Sequence, residues 1–290
     1  MQTQIHTSLK SAFASAVVFS AMSTMGRAEV LFRDEFTGVA ASSGDAQTSA
    51  GLNSVGWYMY QNNAGGQAWT TGTDNTSPLS GGVMKNPGGS SANTVAIKQF
   101  ASSTLTNVGD SITLSMDLRA LGAGSFNVSL LQSAATVSTN QYGSANPLAD
   151  GHGYGFLMSS TQDRTFLTAG TGSLWEVTNG DPIPYTNYLT NVSASTPMTT
   201  LARTLTLTLT KTAGGVQIGS SFAGTTFTPY QDTSGNIFTS FNTIRIYGNG
   251  ALAGMYFDNI SVAKNVVPEP SPMALVLVAG GLCLVRSRRS

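Results

Sequence analysis

From Leu201 to Thr210 the chain reads Leu-Ala-Arg-Thr-Leu-Thr-Leu-Thr-Leu-Thr, with leucine and threonine alternating through most of the run. A period of two places the leucines on one face of an extended strand and the threonines on the other. Such a strand has one face to bury and cannot stand alone, so it requires a sheet and a second layer to cover it. The run leads through Ala213-Gly214-Gly215 into Val216-Gln217-Ile218, and through Ala223-Gly224 into Thr225-Thr226-Phe227. Glycine at those junctions supplies the turn conformations of a meander of antiparallel hairpins.

Further strand signals fall at Val30 to Phe36, Trp57 to Gln61, Thr94 to Ala101, Ser111 to Leu121, Ser125 to Gln132, Gly155 to Ser159, Thr165 to Thr168, Thr243 to Tyr247 and Met255 to Val262. The stretches Ala40 to Gly56, Gly65 to Pro87 and Asn140 to His152 are rich in Gly, Ser, Asn and Thr and read as long surface loops. Helix-forming runs are absent from the central region, so the fold class expected is all-β: a two-sheet antiparallel jelly-roll β-sandwich, flanked by an N-terminal signal helix and a C-terminal transmembrane helix.

The two ends carry a different signal. Lys10 precedes a small and apolar stretch, Ser11 to Met25, and Gly26-Arg27-Ala28 follows. That order of charge, apolar run and small residues is the layout of a secretory leader, with cleavage expected after Ala28. At the other end Pro268-Glu269-Pro270 precedes the apolar segment Met273 to Val285 and the cations Arg286, Arg288 and Arg289. This segment closely resembles the PEP-CTERM sorting tail of exported bacterial proteins. The resemblance implies recognition and cleavage by an exosortase-type membrane protease. The positive-inside rule independently keeps those arginines on the cytoplasmic side of a membrane, and the apolar segment is short beside the ~20 residues of a full span. The organisation expected is therefore a signal peptide at 1–28, a β-sandwich at 29–264 and a sorting tail at 265–290.

The central pattern adds a second resemblance. An opening Leu31-Phe32-Arg33-Asp34-Glu35-Phe36, a late hairpin from Arg203 to Gly219 and a closing Tyr256-Phe257-Asp258-Asn259-Ile260 are similar to concanavalin-like and laminin-G-like lectin sandwiches. In such folds the first and last strands often pair. The resemblance then implies a structural calcium held by Asp34, Glu35, Asp258 and Asn259, whose oxygens suit that ion. The alternative is that Asp34 and Asp258 cap strand ends and accept hydrogen bonds from turn amides.

Chemistry is thinly supplied. Only 10% of residues are charged, and 14 Lys+Arg balance 14 Asp+Glu, so the basic footprint of a nucleic-acid binder is missing. The single cysteine, Cys283, lies in the apolar tail, leaving the exported part without a disulfide. No paired-carboxylate strand of the kind that sandwich glucanases use is present. His152 follows Asp150 in a turn and invites an acid–base role with Asp150 and Glu176, or simply an exposed loop position. Trp57 reads as core, with Tyr58 and Tyr60 facing the other way, whereas Trp175, Tyr185 and Tyr188 flank a turn and could stack on sugar rings. The expectation is a non-catalytic surface or extracellular-matrix protein that binds exopolysaccharide. The alternative is a secreted polysaccharide-degrading glycosidase or lyase.

Overall fold

A computed structural model describes residues 27–39, 50–61, 69–86, 94–120, 125–142, 147–148, 150–159, 163–168, 188–192, 201–233, 235–248 and 254–268. In chain order its elements are β1 (Arg27–Asp34), α1 (Ala50–Ser54), β2 (Trp57–Gln61), β3 (Thr70–Asp74), β4 (Gly81–Asn86), β5 (Thr94–Thr104), β6 (Ser111–Ala120), β7 (Ser125–Gln132), β8 (Gln141–Tyr142) and β9 (His152–Ser159). They continue with β10 (Asp163–Thr168), β11 (Tyr188–Val192), β12 (Arg203–Thr212), β13 (Gly215–Phe222), β14 (Thr225–Thr226), β15 (Tyr230–Asp232), β16 (Ser240–Gly248) and β17 (Met255–Val266). One sheet runs β14-β13-β12-β6-β17-β4-β3, with β1 added beside β17 and β15 beside β13. The other runs β11-β10-β9-β7-β16-β5-β2-β8. Pairing is antiparallel wherever register is resolved, except between β2 and β8.

Alternation explains why the sheets face each other. Leu205, Leu207 and Leu209 of β12 are fully buried, as are Ile112, Leu114 and Met116 of β6, directly across the ladder. From the second sheet Phe126, Val128 and Leu130 of β7 and Ile244 and Ile246 of β16 enter the same core. Aromatic rings fill the space between the layers: Phe126 of the second sheet meets Phe257 of the first edge-on at 5.9 Å, and Trp69, just before β3 of that first sheet, stacks on Phe257 at 5.5 Å. A polar tie joins the layers, since Tyr154 of β9 donates its hydroxyl hydrogen to Asp232 of β15 at 2.7 Å. The result is an antiparallel β-sandwich within the compact unit Glu29–Lys264.

The second sheet also buries part of its outer side. Tyr60, Val95, Ile97, Leu131 and Tyr247 lie there beneath Val137 and Leu148 of the connection between β7 and β9. Gln99 holds that connection in place, its amide donating to the Ala135 carbonyl at 2.7 Å and its oxygen accepting from the Val137 amide at 2.9 Å.

Two expected loops contain regular structure. The stretch Gly65 to Pro87 carries strands β3 and β4, and Ala40 to Gly56 carries the short helix α1. The third loop, Asn140 to His152, contains the two-residue β8 and, at its last residue, the start of β9 among its described residues. Residues 1–26 and 269–290, where the leader and most of the sorting tail fall, lie outside the described residues. Among the described residues no helix is long and apolar enough to cross a membrane.

Candidate functional site

The four residues named for calcium occupy adjoining parts of the first sheet, where β1 pairs with β17. Their oxygens are engaged locally. Asp34 accepts hydrogen bonds from the Phe36 amide at 3.0 Å and from the indole Nε1 of Trp57 at 2.9 Å. Glu35 forms an ion pair with Arg33. The Asp258 carboxylate accepts from the Ser80 amide at 3.0 Å and from the Asn259 amide at 2.7 Å. Asn259, at φ 51°, donates its side-chain amide to Asp117 at 2.8 Å. Burial pushes the Asp258 carboxyl above its ordinary value, and the like charges of Asp117 and Glu35 add to that shift against the two amide hydrogen bonds. Among the described residues no group of three or more His, Cys, Asp or Glu is placed to hold a metal ion. Asp34 thus closes the end of β1, while Asp258, inside β17, holds the Ser80 amide that leads into β4.

His152 and Asp150 do not form an acid–base pair. The Asp150 carboxylate accepts from the Ser133 hydroxyl at 2.7 Å and from the Ala134 amide at 2.6 Å, while His152 Nδ1 faces the Asp150 backbone carbonyl at 3.2 Å. The imidazole lies against Phe238, ring centroids 4.8 Å apart. Burial alone would raise the Asp150 carboxyl, but the Ser133, Ala134 and Ala135 hydrogen bonds outweigh it and hold the group low. Glu176 lies outside the described residues.

Of the aromatics, Trp57 and Trp69 are core residues without exposed surface. Trp175 and Tyr185 lie outside the described residues, and Tyr188 opens the edge strand β11 opposite Phe166. Ala28 is an exposed residue of β1. Pro268 closes the described chain; Glu269, Pro270, Arg286, Arg288 and Arg289 fall beyond it.

Two sheet faces were not singled out as sites from the sequence. On the outer side of the second sheet, Arg245 is wholly buried and donates to the Asn127 oxygen at 2.8 Å, across from Ser129. Burial lowers the guanidinium to about 10, which leaves it charged at neutral pH. The Asn127 side-chain nitrogen and the Ser129 hydroxyl beside it are buried without a hydrogen-bond partner.

The outer side of the first sheet is accessible and regular. Ladder register aligns Ser115, Thr206 and Ser221 in one row, Thr113, Thr208 and Gly219 in the next, and Ser111, Thr210 and Gln217 in the third. None of these nine residues is ionisable or aromatic, and none is buried. Sheet geometry spaces the strands by about 4.8 Å and successive outward residues by about 6.8 Å. Hydroxyls pair across the strands, Thr113 with Thr208 at 3.1 Å and Thr206 with Ser221 at 2.7 Å. At the end of the array the Thr204 hydroxyl donates to Asp117 at 2.5 Å. The leucine–threonine alternation was the available signal for this face.

No family model matches the chain, and no curated protein matches it. Similar solved structures include the metal-free carbohydrate recognition domain of Emp46p, with 10% identity over 82% of this chain and 100% of that one, at a TM-score of 0.44. The carbohydrate-binding module CBM66 from Bacillus subtilis has 10% identity over 71% and 94%, at 0.39. A protein of unknown function from Shewanella oneidensis MR-1 has 12% identity over 80% and 90%, at 0.43. Likeness at this level transfers neither a ligand nor a reaction to this chain.

Proposed function

We propose that the chain is an exported surface or extracellular-matrix protein, directed outward by its leader, sorted by its C-terminal tail, and binding exopolysaccharide without altering it chemically. The observation that carries this reading is the ordered C-terminal sequence, Pro268-Glu269-Pro270, then an apolar segment, then Arg286, Arg288 and Arg289. Each part has a physical role in sorting, because an apolar segment partitions into the bilayer and a basic end stays on the cytoplasmic side. The unit delivered by that route would be the sandwich, Glu29–Lys264. Among its described residues the buried carboxylates serve the fold: Asp110 caps the Thr106 and Asn107 amides, Asp232 holds Tyr154, and Asp258 accepts from the Ser80 and Asn259 amides.

Expression of the full chain in a host that makes both a sorting protease and exopolysaccharide tests the reading. The protein is expected in the envelope or matrix fraction and retained on the isolated polysaccharide, whose chain length stays unchanged. A cytoplasmic protein, or one that passes through the polysaccharide unretained, contradicts it. Shortening of the polymer would favour the degrading enzyme instead.

A further inference from the structure

We infer that the hydroxyl array on the outer side of the first sheet, centred on Thr206, Thr208 and Thr210 of β12, is the surface that takes the glycan, and that this glycan is an uncharged, extended polysaccharide. The inference rests on the glycan-binding reading above and adds the place and the ligand class.

Three observations lead to that occupant. The first is charge. The three rows contain no ionisable side chain, so the face offers an anionic polymer no counter-charge to replace the water it would lose on binding. A neutral polymer loses only the hydration of its hydroxyls, which the hydroxyls of the face can replace. The second is the kind of contact available. Threonine presents a hydroxyl and a methyl side by side, which matches the alternating hydroxyl and C–H groups of a sugar chain. The rows hold no aromatic ring, so a lone sugar would gain no stacking and would hold only by hydrogen bonds exchanged with water, each of which contributes little. Affinity then has to come from many contacts made at once along one chain, and a polymer supplies them at high effective concentration.

The third observation is preorganisation. The pairs Thr113 with Thr208 and Thr206 with Ser221 fix the orientation of four hydroxyls, yet the residues remain partly accessible. Ordering them before binding lowers the entropic cost of contact. At the edge of the array the Thr204–Asp117 and Asn259–Asp117 hydrogen bonds tie β12, β6 and β17 together, so the central rows are held on a fixed frame. The leucines behind them form the core, which lets the outward side chains be exchanged without emptying it.

The test uses the full chain and three probes: microcrystalline cellulose as a neutral polymer, an alginate gel as an anionic one, and a gel-filtration column for self-association. Two variants carry three substitutions each. Thr206→Val, Thr208→Val and Thr210→Val together remove the hydroxyls while keeping shape and strand preference; the Thr→Ser set at the same positions keeps the hydroxyls. Melting temperature and far-ultraviolet circular dichroism check that both remain folded. The expected result is retention of the wild type on cellulose and not on alginate, a loss of about tenfold or more for the valine set, and retention near wild type for the serine set. Retention on cellulose that the valine set leaves unchanged, or retention on alginate alone, overturns the inference while the glycan-binding reading stands. No retention on either polymer, or on the host's own exopolysaccharide, overturns both. A concentration-dependent dimer that the valine set abolishes, without polymer retention, also overturns the inference and assigns the face to a second copy of the chain.

Discussion

Asp74 and Asp258 lie on the same sheet and respond to protons with opposite sign. Burial alone would raise the Asp74 carboxyl, but the Thr76 amide and hydroxyl and the Arg119 guanidinium, 2.6 Å away, bring it below the ordinary value of 3.8. A lowered folded-state value means that its stabilisation is present above the ordinary value and is lost as pH falls through the folded one. Asp74→Asn should therefore cost about 1–3 kcal/mol at neutral pH, and the gap to wild type should close below about pH 4. Asp258 is raised, first by burial. Its favourable contribution is present below the ordinary value and is lost as pH rises through the raised one. Asp258→Asn, judged against wild type, should then become less harmful as pH rises from 3 to 7. Urea midpoints for both variants at the two pH values check this; parallel trends would contradict the assignment. Trp57 is a third test at this scale. It is fully buried and donates to Asp34, so Trp57→Ala should cost about 3–5 kcal/mol through the cavity it leaves and the hydrogen bond it removes.

At the scale of elements, β12 separates packing from surface chemistry. Leu207→Ala should lower stability by about 2–5 kcal/mol, whereas Thr208→Ala on the opposite face should change it by less than about 1 kcal/mol. Chemical denaturation distinguishes the two; equal costs would mean that the outer face is covered. This strand was legible in the sequence because its period of two survives almost without interruption; β7 and β16 were legible for similar reasons, and β2 from its aromatic and apolar run. The strands β3 and β4 were not. Thr70-Thr71-Gly72-Thr73-Asp74 has no apolar residue to mark an inner face, and its buried positions are Thr70, Thr71 and Asp74. Val83-Met84 in β4 is too short to show a period. Strand preference there comes from neighbours across the ladder rather than from the segment itself. The candidate site was legible only in part. Alternation gave the threonine face of β12, but the rows need Ser111, Thr113 and Ser115 of β6, which lie roughly 95 residues away and are aligned only by register. His152 and Asp150 show the converse, since neighbours in sequence turn their functional groups to different partners.

For the whole molecule, the sandwich is closed by its own core, and the proposed role of the two terminal segments is to direct it outward. The outer face of the first sheet can bear binding residues because the leucines, phenylalanines and isoleucines between the sheets already hold the layers together. We propose that the chain is exported and processed at both ends, and intact mass of the protein recovered from a host with a sorting protease is the measurement to make. The expected mature chain starts at Glu29 and ends near Pro268-Glu269-Pro270. A mass that retains the leader, or that keeps Arg286, Arg288 and Arg289, would contradict it.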